Sequence, residues 1–205
     1  MFKRSVFLTG ILLFLGGISI AGEVIKDGFY NDYDKAGRLV RTVEYQLGVP
    51  HGRFRAFYPN GLLRATGSYV NGALDGVLNE YREDGTPLTK AFYRQDVLHG
   101  VKTVYYPNSK IKSEETYIEG SKDGLTKEYN DKGYLVSIRP FRHAQEDGVT
   151  RDLYPSGVVY REYDYKNNVQ HGCIREYNEK GTLKGAYEGE NRIRSGKGRE
   201  YYSTG

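Results

Sequence analysis

Three histidines, His51, His99 and His171, each stand directly before a glycine, and Asp27, Asp75, Asp123 and Asp147 fill the same slot elsewhere, with Ser195 last. Histidine with carboxylate is zinc chemistry. The spacing opposes it. His51 and His99 lie two repeats apart, and at two strands per repeat and about 4.8 Å per strand that separates them by roughly 19 Å. Zinc ligands sit about 2 Å from the metal. The slot therefore reads as a short polar residue bonding to backbone at a turn, and the isolated His143 reads the same way. Calcium wants several oxygens in one short loop. Residues 71–76 offer only Asn71 and Asp75, and residues 119–124 only Glu119 and Asp123. Cys173 lies two residues from His171, but nothing completes a nucleophilic set. Its position elsewhere holds Phe29, Val77, Val101, Leu125 and Val149, so it reads as a small buried hydrophobe. No paired carboxylates, serine triad or phosphate loop stands out. The expectation is no enzyme, no metal and no cofactor.

Binding chemistry is better represented. Lys127, Arg151, Arg175 and Arg199 recur at a constant interval, each followed by an acid: Glu128, Asp152, Glu176 and Glu200. Neighbouring residues of a strand point to opposite faces. The spacing thus predicts a basic row on one face and an acidic row on the other, each needing partners because like charges down a ladder repel. A second set, Tyr58, Tyr106, Tyr154 and Tyr202, recurs at twice that interval, and Pro59, Pro107 and Pro155 follow the first three. These are expected to be exposed contacts on turns.

Strands must position these groups, because the whole chain keeps one frame. Gly28, Gly52, Gly76, Gly100, Gly124, Gly148, Gly172 and Gly196 are evenly spaced without insertion, and are expected at structural turns. Five residues after each opener comes Tyr33, Phe57, Tyr81, Tyr105, Tyr129, Leu153, Tyr177 or Tyr201. Nine after comes glycine, or Ser109, and seventeen after comes Tyr45, Tyr69, Tyr93, Tyr117, Phe141 or Tyr165. The seventh unit breaks the last column, with Gly189 in the slot and Tyr187 two places early. Each unit reads as a β-hairpin: a run ending in an aromatic, a turn such as Pro59-Asn60-Gly61, and a second run. Ala65, Gly67, Ala91 and Val43 share a parity with the second aromatic and mark the packed face. A glycine or turn dipeptide every 9 to 15 residues leaves no room for helices of normal length. The fold class is all-β, an elongated array of antiparallel β-hairpin repeats with a 24-residue period. Units start at residue 28, seven are complete, and a half unit runs from Gly196 to Gly205.

Met1–Arg4 is basic and Val6–Ile20 almost wholly apolar, with small Ser19 and Ala21 at its end. This reads as a secretory signal peptide over residues 1–21. The apolar run is short for a membrane span, and no cysteine follows it to take a lipid. The remaining domain, residues 22–205, is expected outside the cytosol, periplasmic or extracellular in a bacterium. The chain carries a formal charge of +4. Removing Lys3 and Arg4 leaves 28 cations against 26 carboxylates, or +2, which gives no general case for nucleic acid.

The pattern G-x-x-x-x-Y-x-x-x-G-x-L, then an aromatic, N-G and x-x-[HD]-G resembles the variant MORN repeat of bacterial proteins, as in Gly52–Asp75 and Gly124–Asp147. The resemblance covers residues 22–205 and is similar to a group labelled YwqK-like antitoxins. It implies hairpins forming a long sheet, with protein contacts and sometimes membrane-lipid contacts, and no catalytic residues. The expected role is an exported scaffold binding a protein or an envelope component, with membrane-surface contact open and no nucleic acid. The alternative is an extracytoplasmic immunity protein covering a toxin. The oligomeric state is left open by the sequence.

Overall fold

The computed structural model describes residues 27–190 and 193–200, with side chains for 27–189 and 198–200. The expected leader, Tyr202 and Gly205 lie outside them. The opening strands are Gly28–Tyr33, Val49–Phe57, Gly76–Tyr81, Gly100–Tyr105, Ser121–Tyr129, Gly148–Leu153, Val169–Tyr177 and Ile193–Glu200. The closing strands are Leu39–Gln46, Leu63–Val70, Pro87–Arg94, Ile111–Ile118, Leu135–Arg142, Val159–Lys166 and Leu183–Glu190. Ala73–Leu74, Val97–Leu98 and Gln145–Glu146 are two-residue lead-ins to three openers. Every strand pairs antiparallel with its neighbour in sequence, from Gly28↔Tyr45 to Ala186↔Arg199, so one continuous meander carries all units. The all-β array expected from the period is the fold observed.

The two edges of the sheet differ in turn chemistry. On one edge a type I turn closes on a left-handed residue, as where Gly61 N donates to Tyr58 O at 2.9 Å and Tyr58 N to Leu62 O at 2.8 Å. Pro59 supplies the fixed φ of the turn's second residue, and Gly61 the φ of +84°. Ser109 holds the equivalent place at φ 63°. On the other edge, two-residue turns place both central residues at positive φ, as in Leu47-Gly48 (50° and 74°) and His143-Ala144 (49° and 63°). That is the hairpin turn whose twist matches the strands.

The opener glycines are not in turns, as expected from sequence, but at the start of strands or inside them. Gly52 lies within Val49–Phe57 at φ 105°, where the ladder shifts register between Val43 and Tyr45. A bulge opens the strand there, and only glycine takes that backbone without strain.

The inner face carries the packed column. Val43, Phe54, Ala56, Ala65, Tyr69, Leu74, Leu78, Ala91 and Tyr93 form its apolar core in the first three units. Large and small residues exchange across it: a Cβ at Gly67 would meet the Phe54 ring at 2.6 Å. The break in unit seven has the same cause, since Cβ atoms at Gly185 and Gly198 would lie 2.4 and 2.1 Å from Tyr187. The early tyrosine takes the space those glycines leave.

Candidate interaction surface

One register position forms a continuous row over the outer face. It runs Asn31, Thr42, Arg55, Thr66, Asn79, Lys90, Thr103, Glu114, Lys127, Ile138, Arg151, Glu162, Arg175, Ala186 and Arg199, each paired with the next. Six cations stand against two carboxylates, a net of +4 over roughly 65 Å. The adjacent row on the inner face is nearly its opposite. Asp32, Glu80, Glu128, Asp152, Glu176 and Glu200 stand against Arg41 and Arg161, a net of −4. These two rows therefore carry opposite charge on opposite faces of the sheet.

Each row has internal partners. Arg151 Nε donates to Glu162 Oε1 at 2.9 Å, and Arg175 reaches Asp164 at 3.2 Å. Lys127 lies opposite Glu114. Tyr129 and Tyr177 donate to Glu114 and Glu162 at 2.8 and 2.9 Å. These two first-column aromatics thus stand half-buried with the outer row, not in the core. Burial, then the bond to Glu114, pushes the Tyr129 hydroxyl up to about 12. On the inner side Arg139 and Arg161 pair with Glu128 and Glu176 at 3.3 and 2.8 Å. Arg199 is exposed opposite Ala186.

Beside the middle of the basic row the outer face is apolar. Val77 is paired with Phe92, Val101 with Thr116, and Leu125 with Pro140. Val77, Phe92, Val101 and Leu125 are 40, 37, 50 and 49% exposed. A cation row flanked by an open apolar strip is a surface that charge alone, or hydropathy alone, would not reveal. Cys173 belongs to this same strip, half-buried and paired with Glu188, rather than to the core.

The turn tyrosines are braces. Tyr58, Tyr106 and Tyr154 are half-buried rather than exposed, and their hydroxyls donate to the carbonyls of Tyr81, Tyr129 and Tyr177 at 2.8, 2.9 and 3.1 Å. Each bond reaches the next unit. Asn60 and Asn108 add parallel bonds to Glu83 O and Asp131 O, both 2.8 Å. The Tyr106 ring also lies 5.9 Å below the Lys112 ammonium, and the Tyr154 ring 5.0 Å from Tyr160. Tyr202 lies outside the described residues.

The polar slot before the opener caps the neighbouring hairpin. Asp27, Asp75 and Asp123 accept from the backbone N–H of Leu47, Gln95 and His143 at 2.6, 3.2 and 3.1 Å, and His51 Nδ1 from that of Asn71 at 3.4 Å. No group of three or more His, Cys, Asp or Glu arranged for a metal occurs among the described residues.

Three segments, residues 50–71, 98–119 and 146–167, match the family model described as the MORN repeat variant. They fall on alternate units, those bearing Tyr58-Pro59, Tyr106-Pro107 and Tyr154-Pro155. No curated protein matches the chain significantly. Repeats of this type are non-catalytic modules of structure and protein interaction, and the chain carries three segments of the MORN-variant type in register on its shared template.

Proposed function

We propose that the protein is an exported scaffold whose outer face binds an extended partner, an acidic protein segment carrying apolar side chains. The observation that carries this reading is the outer row, six cations against two carboxylates, running beside the exposed Val77, Phe92, Val101 and Leu125. Charge sets register and speeds encounter, while the apolar strip supplies the burial. A repeat array offers such a surface at regular intervals and suits an elongated partner. Export rests on the leader-like residues 1–21.

The test is an affinity capture from the protein's own cells with residues 22–205, beside a variant carrying Lys127→Glu, Arg151→Glu and Arg175→Glu. A stoichiometric protein that the variant holds at least ten times more weakly, with capture falling as salt rises, is the expected result. Equal capture by both chains would sink the outer-face reading. Retention on membrane or wall fractions instead would make the partner an envelope surface. A toxic captured protein would assign the immunity role that the resemblance to YwqK-like antitoxins suggests.

A further inference from the structure

Among the described residues, the first strand of the sheet is paired along one edge only. Gly28–Tyr33 has its ladder with Leu39–Gln46. The openers from Val49–Phe57 to Val169–Tyr177 each lie between two closing strands. The side chains register the difference. Phe29 and Tyr33 are 64 and 59% exposed, whereas Phe57, Tyr81, Tyr105, Tyr129 and Tyr177, in the column of Tyr33, are half-buried. Tyr129 and Tyr177 reach Glu114 and Glu162 on the preceding closing strand, and it is this strand that Tyr33 lacks.

The template would place that neighbour at residues 15–22, one repeat before Leu39–Gln46. All of it except residue 22 belongs to the leader that the export reading removes, and the inference rests on that reading here. Residues 22–26 are fewer than the eight of a closing strand, so they are too short to fill the edge. Edges are commonly blunted by charge, above all lysine, or by proline. Gly28–Tyr33 holds neither lysine nor proline, and its one charge, Asp32, is already paired with Arg41. The last described strand, Ile193–Glu200, carries Arg194, Lys197 and Arg199.

We propose that Gly28–Tyr33 pairs antiparallel with the same strand of a second copy, about a twofold axis through Asn31. Successive residues of a strand turn their N–H and C=O to alternate edges. Arg53, one repeat after Phe29, turns its N–H to the preceding closing strand and donates to Glu44 Oε2 at 2.9 Å. Asp34 turns the other way and donates to Arg38 O at 2.9 Å. Phe29, Asn31 and Tyr33 therefore present their backbone groups to the open edge. With Asn31 opposite itself, each Phe29 faces the second copy's Tyr33, and these opposed residues exchange N–H···O=C bonds in both directions. Each Tyr30 faces the second copy's Asp32. Aromatic pairs across strands stabilise and like charges directly opposite destabilise. Sliding one way, to set Asn31 against Tyr33, brings the two Asp32 carboxylates face to face. Sliding the other way leaves Tyr33 opposite no strand residue. The chosen register avoids both. It also puts the two outer faces on one side of a single sheet about 140 Å long.

The test is analytical ultracentrifugation of the exported chain, residues 22–205. No partner is present, so failure to dimerise and failure of capture by the outer face are separate results. A short edge contact belongs with small interfaces, and a monomer–dimer equilibrium with a Kd below roughly 100 μM and no higher species is expected. Asn31→Arg sets two cations opposite each other and is expected to weaken the dimer at least tenfold. The same column holds Arg55 and Arg151, so the fold accepts the change. Asn31→Asp is expected to weaken it likewise, and an equimolar mixture of the two variants to restore the dimer, because a self-opposed residue 31 then joins opposite charges. Phe29→Arg, which the template holds at Arg53, removes both aromatic pairs and reads the contact from a second position, with the same tenfold weakening expected. A monomeric parent, undiminished dimers of Asn31→Arg or Phe29→Arg, a mixture that fails to associate, or assemblies that keep growing with concentration would overturn the proposal.

Discussion

Tyr58 shows how one hydroxyl couples two repeats. Its O–H donates to Tyr81 O at the end of the next opening strand. Tyr58→Phe keeps the ring and removes the bond, at a cost of roughly 0.5–1.5 kcal/mol, to be read from the denaturant midpoint. Arg82, at the same template position in the next unit, bonds forward to the Tyr105 and Tyr106 carbonyls. The aspartate and asparagines at that position instead cap their own turn, as where Asn130 Oδ1 accepts from Lys132 and Tyr134 N–H. Tyrosines on both faces also set the alkaline limit. Tyr129 is held at about 12 against an ordinary value of about 10, and Tyr117, Tyr163 and Tyr177 are raised as well, burial first among the causes. A raised tyrosine contributes stability that is complete below pH about 10 and is lost as pH rises through the folded value. Tyr129→Phe should therefore flatten the fall of the urea midpoint between pH about 10 and about 12. An unchanged slope would show that Tyr129 does not govern it.

At the scale of the hairpin, the two-residue turns form a chain of their own. Gly72, Asp96, Gly120, Ala144 and Asn168 each donate their N–H at 2.8 or 2.9 Å to a strand carbonyl just after the preceding turn, those of Pro50, Leu74, Leu98, Lys122 and Glu146. Each turn is thereby tied to the strand that leaves the turn before it. Ala144 meets this requirement at a backbone cost, since its φ is 63° and its Cβ disfavours that region. Ala144→Gly retains the N–H donor and relieves the strain. It should stabilise the protein by roughly 0.5–1 kcal/mol, seen as a higher denaturant midpoint, and a lower midpoint would count against the strain.

Over the whole molecule, the ladder joins each described strand to its neighbours in the meander, so stability accumulates unit by unit. The pairing of Tyr-Pro units with charged-turn units makes two consecutive units the exchangeable block. Removing residues 100–147 keeps strand direction, face alternation and turn alternation in phase. The shortened chain is expected to retain a β-sheet circular dichroism spectrum and cooperative unfolding. Removing only residues 100–111 deletes one opening strand and its turn, reverses the direction of everything after it, and is expected to abolish cooperative unfolding. A folded product from that shorter deletion would contradict the single-meander architecture.

Residue spacing alone determined the period, the paired strands, the Pro-Asn-Gly type of turn and the opposite faces of the charged rows. Side chains alternate with a period of two and each repeat holds an even number of residues, so every column returns to the same face. The opposed rows of Lys127, Arg151, Arg175 and Arg199 and of Glu128, Asp152, Glu176 and Glu200 were legible for that reason. The folded ladder decided what each group meets in the adjoining unit. Tyr58, Tyr106 and Tyr154 look like free turn residues along the chain, yet their acceptors belong to the following unit. The opener glycines look like turns, but register shifts place Gly52 and Gly124 at bulges. The buried Thr126 and Ser137 hydroxyls and Arg139 Nε, unpartnered among the described residues, could not be found by counting residues, because burial and hydrogen bonding depend on the neighbouring strands. Local spacing sets direction, whereas contact is set by the ladder that joins one repeat to the next.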